Sequence, residues 1–188
     1  MQEGATVCGD CLRDPPPLDA CLACCDYAWP WPRHIGRYKF RGEAGHAATL
    51  ADLMRSMPWV EPALEQAASV LPIPLAAGRL KERGFNQAHE LARRLAPSKA
   101  DARLLLRTRE TTAQSGLPRA QRLVNLRGAF ALEPSRAHEL RGQRVVLVDD
   151  VMTSGASLFT AAQVLREAGA AHITAIVFAR TDRPALAA

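Results

Sequence analysis

Apolar and polar positions along this chain change period several times. Residues 145–148 are apolar without a break, three of them Val, and 172–179 form a second, mostly apolar segment. Runs of this kind predict strands buried on both faces, as in a parallel sheet. Residues 69–73, with Pro72 near the end, and the segments 103–107 and 128–132 read as further strands. Between them the period becomes helical. After 34–40, the segment 43–57 carries Ala44, Ala47, Ala48, Leu50, Leu53, Met54 and Met57 on one helical face, and 60–67 reads as a helix after Pro58. A helix opens at Phe85 and runs to about Leu95; another spans 157–168 with Leu158, Ala161, Ala162 and Leu165, and Gly169 is its natural C-terminal cap. Three polar stretches interrupt the pattern. Tyr27, Trp29, Pro30, Trp31 and Pro32 predict an extended connector, whose Trp pair either stacks bases or, the preferred reading, pins a small domain on a larger one. Residues 74–82 read as a loop. Residues 108–122 have no period and form a long loop of the kind that serves as a lid.

The chemistry gathers where the strand at 145–148 ends. Asp149 and Asp150 follow it directly, then Thr153, Ser154, Gly155, Ala156 and Ser157 lead into the 157–168 helix. Backbone N–H groups and three hydroxyls on such a loop, with a helix N-terminus behind them, suit one phosphate. The acids would repel a phosphate placed on them and suit sugar hydroxyls or the water shell of a divalent cation. A phosphorylated sugar satisfies both halves. A Walker B strand would need a partner G-x-x-x-x-G-K-[ST] loop, which the chain lacks, and a receiver-type acid pair belongs on the first strand of its domain. Arg79, Lys81 and Arg83 lie between a strand and a helix, where basic residues suit a diphosphate.

Composition narrows the setting. A chain of 188 residues with 48% apolar content has room for one α/β domain and a small appendage. Net charge is +5, and all but three of the 24 basic residues are Arg, which grips phosphate bidentately. Pyrophosphate fits that balance, and nucleic acid is a candidate partner. With no run of 18 apolar residues and no signal-peptide n-region, the expected location is the cytosol. The first 25 residues hold all five cysteines. Cys8, Cys11, Cys21 and Cys24 make two C-x2-C pairs, predicted to hold a structural zinc, with Cys25 a substitute for Cys24. A redox pair and a metal-free segment are the alternatives. The predicted division is a zinc knuckle and connector at 1–33 and one main domain at 34–188. Lys39 reads as a surface lysine, and the five His show no ligand spacing.

Residues 145–157 closely resemble the binding motif of type I phosphoribosyltransferases, which hold phosphoribosyl pyrophosphate (PRPP). Further along, the Cys pairs, the segment Tyr38 to Gly42, Pro72 to Leu75 with Arg79 to Gln87, and Arg107, Arg109, Thr111, Gln114, Leu117, Arg122 and Asn125 are together similar to the ComF family of that fold. The resemblance implies a Rossmann-like parallel sheet with ligand at the C-terminal strand ends. It implies that Asp149 and Asp150 contact the ribose hydroxyls and that 153–157 hold the 5′-phosphate. Arg79, Lys81 and Arg83 would take the diphosphate, with Mg²⁺ bound beside it. Arg109, Thr111 and Gln114 on the lid would close the site. The expected function is phosphoribosyl transfer to an acceptor with release of pyrophosphate, with a family link to competence or DNA utilisation. The alternative is a non-catalytic adaptor that senses PRPP or binds single-stranded DNA.

Overall fold

The uninterrupted apolar runs become the middle of a parallel sheet. The computed structural model describes residues 9–40, 45–110, 126 and 128–181. In it β5 (Arg144–Met152) and β6 (His172–Arg180) lie side by side, with β2 (Ser69–Pro72) outside β5 and β1 (Ala20–Asp26) outside β6. Every neighbouring pair is parallel. A separate antiparallel pair, β3 (Leu105–Arg107) and β4 (Phe130–Leu132), forms where the two short strands were expected.

Helices cover both faces, which is why the central strands carry no polar alternation. On one side α2 (Trp31–Phe40), α3 (Gly45–Arg55), α4 (Val60–Gln66) and α6 (Gln87–Leu95) bury Ile35, Leu50, Met54, Leu64 and Leu91 against Val146, Val148 and Phe178. On the other, α7 (Ala156–Glu167) and the β3–β4 pair bury Leu158, Ala161, Leu165, Leu105 and Phe130 against Val145, Leu147 and Ile173. Each large apolar side chain so covered contributes about 1.5–3 kcal/mol. The β3–β4 pair and Leu140 bring the chain into β5 from the side that also carries α7. In parallel sheets of this kind ligands sit in the crevice beyond the C-terminal strand ends.

Local rules account for most boundaries, and they correct two of the expectations. The connector at 27–32 ends sooner than expected: α2 starts at Trp31 and takes Pro32 into its first turn, where the missing N–H costs nothing. Trp31 packs edge-on against Phe178, with centroids 5.0 Å apart, while Trp29 stays 91% exposed. The expected loop at 74–82 is largely a helix, α5 (Ala77–Arg83), with no buried residue. Gly84 closes α5 in the left-handed region at φ 78°. Asn86 caps α6 by accepting from Ala88 and His89 N–H, and its Nδ2 donates to Ile73 O, which ties the start of α6 to the end of β2.

The N-terminal segment departs furthest from expectation. After the short α1 (Gly9–Arg13), β1 joins the main sheet in register with β6, from Ala20 opposite Thr174 to Asp26 opposite Arg180. The sheet therefore reaches back into the segment expected to be a separate knuckle. Among the described residues no helix is long and apolar enough to cross a membrane.

Candidate functional site

β5 does not stop at the acids. Val151 and Met152 still pair with Ala179 and Arg180, so Asp149 and Asp150 stand inside the strand, three and two residues before its end. Asp150 is 6% exposed, and Lys39 Nζ lies 3.0 Å from its Oδ2. That contact is an ion pair without hydrogen-bond alignment, since Oδ2 has no hydrogen-bond partner. Asp149 accepts the Asp150 N–H on its own Oδ1 at 2.8 Å. Burial, and then the charge of Asp150, push Asp149 up to about 7, against the opposing pull of Lys39, the Asp150 N–H and Arg83. The pair thus sheds part of its negative charge near neutral pH, and a ligand that donates hydrogen bonds restores the reason to keep it.

The turn after β5 is built around Gly155. Its φ of +78° is left-handed, and a Cβ there would fall 2.6 Å from Phe159 Cζ and 2.8 Å from Met152 Cε. The backbone conformation therefore requires glycine, and a Cβ would also have to push aside the tips of Phe159 and Met152. Thr181 anchors the start of the turn: its N–H donates to Met152 O and its hydroxyl to Thr153 O. Ser154 Oγ accepts the Ala156 N–H at 3.4 Å, a weak bond that a ligand oxygen can replace. Asp149 and residues 151–158 line a shallow cavity of about 20 Å³ at the first turn of α7. A roomier cavity of about 260 Å³ lies where β1, β5 and β6 begin, beside Trp59 and Ala63. It has neither an acid pair nor a glycine turn, so the chemistry places the site at the loop.

Arg83 lies close enough to both acids to feel their charge, and Arg79 and Arg107 lie behind it. Arg79 and Arg83 are one turn apart on α5 and share a face. Arg83 Nη1 donates to Gln87 Oε1 at 3.1 Å. Burial pushes the Arg83 guanidinium below its ordinary range; Asp150 opposes this and Arg79 adds to it. Arg107, on β3, is lowered by burial and then by Arg79, and its guanidinium lies 5.3 Å above the Phe130 ring centre. Lys81, two residues from Arg79 and from Arg83, is carried to the exposed side of α5. Arg109 is exposed, and its carbonyl accepts from Arg107 Nε at 3.4 Å. Thr111 and Gln114, with the rest of the expected lid from 111 to 122, lie outside the described residues.

Three residues enter the site that sequence reasoning missed. Lys39, read as a surface lysine, is the partner of Asp150. Gln87, 2% exposed, orients Arg83 and accepts the Tyr38 hydroxyl on its carbonyl at 2.8 Å. Arg107 joins Arg79 across the crevice. The available signal was the similarity of the Tyr38–Gly42 and Arg79–Gln87 segments to one family, without a role for each residue.

Two of the four cysteines expected to hold a metal, Cys21 and Cys24, stand on β1. Cys21 and Cys24 are three apart on a strand, a spacing that puts them on opposite faces. Cys21 Sγ packs 3.4 Å from Met152 Sδ, on the α7 side. Cys24 Sγ contacts Leu53 O at 3.5 Å, on the α3 side, and Cys25 packs with it. Cys8 lies outside the described residues, and among those described no group of three or more metal-ligating side chains gathers. The C-x2-C at Cys21 and Cys24 thus falls within β1.

What gathers at this end of the sheet is a hydroxyl and N–H loop for one phosphate, two acids for hydroxyl donors, and three guanidiniums for further negative charge. Comparisons with known proteins point the same way. Residues 79–187 match the model of the phosphoribosyl transferase domain. The DNA utilization protein YhgH of Salmonella typhimurium is 33% identical over 180 residues, covering 93% of this chain and 78% of that protein. Competence protein F of Haemophilus influenzae is 33% identical over 182 residues, covering 92% and 78%. Competence protein ComFC of Bacillus subtilis is 32% identical over 149 residues, covering 78% and 58%.

Proposed function

The chain belongs to the ComF family of phosphoribosyl transferase domain proteins, and on that premise we propose that it binds PRPP at the end of β5 and transfers the phosphoribosyl group to an acceptor, releasing pyrophosphate. The observation that carries this reading is the placement of Asp149 and Asp150 beside the Gly155 turn, with Arg83 within reach of their charge and Arg79 next to Arg83.

In this reading the 5′-phosphate takes the N–H groups and hydroxyls of 153–157, and the acids accept from the ribose hydroxyls. Held at both ends, the ribose presents C1 towards the crevice, so the protein contributes position and charge more than covalent chemistry. The C1–oxygen bond to pyrophosphate breaks, the leaving diphosphate keeps the electron pair, and the acceptor's lone pair forms the new bond to C1. Arg79, Arg83 and Arg107 stabilise the charge that grows on the leaving group. A divalent cation, which neutralises diphosphate charge when bound, would rest chiefly on the ligand's own oxygens and on water. The names of the relatives extend the proposal to a part in DNA utilisation.

Calorimetry with PRPP and Mg²⁺ tests the binding step, and pyrophosphate release with a panel of amines, bases and ammonia tests transfer. Asp149→Asn and Asp150→Asn should each weaken PRPP binding by roughly one to two orders of magnitude, since a hydrogen bond to a charged group is worth about 1.5–3 kcal/mol. Inorganic phosphate should bind both variants at least as well as the wild type. Tight binding of single-stranded DNA, with no PRPP binding in any form of the protein, would replace this reading with the adaptor.

A further inference from the structure

The segment that would meet a diphosphate already holds an anion, and the anion belongs to the chain. Gly78 N–H, at the start of α5, donates to Glu110 Oε1 at 2.9 Å. A Cβ built on Gly78 would lie 3.7 Å from one Glu110 oxygen and 3.9 Å from the other, so the whole carboxylate rests over the glycine. Arg79 is the next residue of α5, and Arg107 stands three residues before Glu110. Arg79 and Arg107 raise the local positive potential for each other, and Glu110 offsets it at Arg107. One backbone N–H and the Arg107 guanidinium, with Arg79 beside it, thus meet a carboxylate in a filled anion site. The carboxylate oxygens stand where oxygens of a bound phosphate group would accept the same donors.

Resting on the PRPP reading above, we propose that Glu110 is a built-in competitor for the diphosphate end of the ligand. A diphosphate must displace the carboxylate from Gly78 before it can use that N–H and the two arginines. A sugar monophosphate held only by 149–157 has nothing to displace. Glu110 therefore weakens ligands that carry a diphosphate and leaves ribose 5-phosphate untouched, which makes it an affinity-setting residue for one end of the site. The contact is solvent-exposed, so the effect is modest. A hydrogen bond of ordinary net strength corresponds to a factor of roughly 2 to 10 in an equilibrium.

The test is calorimetry of the full chain with inorganic pyrophosphate and, separately, with ribose 5-phosphate. Glu110→Ala should bind pyrophosphate about two- to tenfold more tightly than wild type, and Glu110→Gln, which keeps the acceptor but not the charge, should fall between them. Ribose 5-phosphate affinity should stay the same in all three. Glu61→Gln on α4 removes the same charge elsewhere, and it should leave pyrophosphate binding within about 1.5-fold, well under the effect of one hydrogen bond. Unchanged or weaker pyrophosphate binding in both Glu110 variants would overturn the proposal, because a carboxylate that merely organises the loop helps the ligand. Binding of ribose 5-phosphate with no pyrophosphate binding in any variant would overturn it too, and would leave the ribose half of the functional reading intact. If neither ligand binds any variant, both fail together.

Discussion

Asp149→Asn should make the protein more stable while it loses its ligand. The wild-type carboxyl is displaced from 3.8 to about 7, by burial first and by Asp150 second. At 1.36 kcal/mol per pH unit, keeping it ionised costs the folded state roughly 4 kcal/mol well above neutrality. Solvent reaches part of Asp149, so about 1–2 kcal/mol is the gain expected from asparagine. Asparagine still accepts the Asp150 N–H on its oxygen, so that hydrogen bond survives. The sign follows from proton counting. Between the unfolded value near 4 and the folded value about 7, the folded protein holds a proton that the unfolded chain has released. Wild-type stability therefore falls as pH rises through that window, and the variant is spared the loss. Denaturant melts at pH 5 and pH 8 measure it. The variant's advantage should be small at the lower pH and reach its full size at the higher, equivalent to about 2–8 °C in Tm for a chain of this length. An advantage of equal size at both pH values, or a variant less stable at pH 8, would refute the burial argument. PRPP affinity of wild type should rise over the same interval, because only the ionised carboxylate is a pure acceptor for ribose hydroxyls.

Gly155→Ala should lower stability by about 1–2 kcal/mol or more, chiefly from the left-handed backbone, with the tips of Phe159 and Met152 pushed aside; a thermal melt equal to wild type would contradict it. Ser157→Ala is the better probe of the phosphate contact, and calorimetry should show weaker binding of PRPP and ribose 5-phosphate alike with an unchanged melt. Lys39→Met should cost about 1–3 kcal/mol by leaving the buried Asp150 without its cation, and Lys39→Arg should restore most of that; equal denaturant midpoints for all three would exclude the pairing. Cys24→Ala should leave the metal content of the purified protein unchanged by elemental analysis, since Cys24 and Cys21 face apart.

What the sequence determined is whatever a local period or a local cap can report. The strands β2, β5 and β6 and the helices α6 and α7 were legible because each buries one continuous apolar run or stripe. The Gly155 loop and its acids were legible because a loop between such elements keeps its chemistry in consecutive residues. Tertiary structure decided the rest. Helix α5 buries nothing, so it left no hydrophobic period to read. The pair at Cys21 and Cys24 has a metal-binding spacing on paper, and only its pairing with β6 turned that spacing into two opposite faces of a strand. Lys39 meets Asp150 from 111 residues away and Glu110 meets Gly78 from 32. Contacts of that range are fixed by how helices stack on the sheet, because an ion pair between distant residues has no period along the chain.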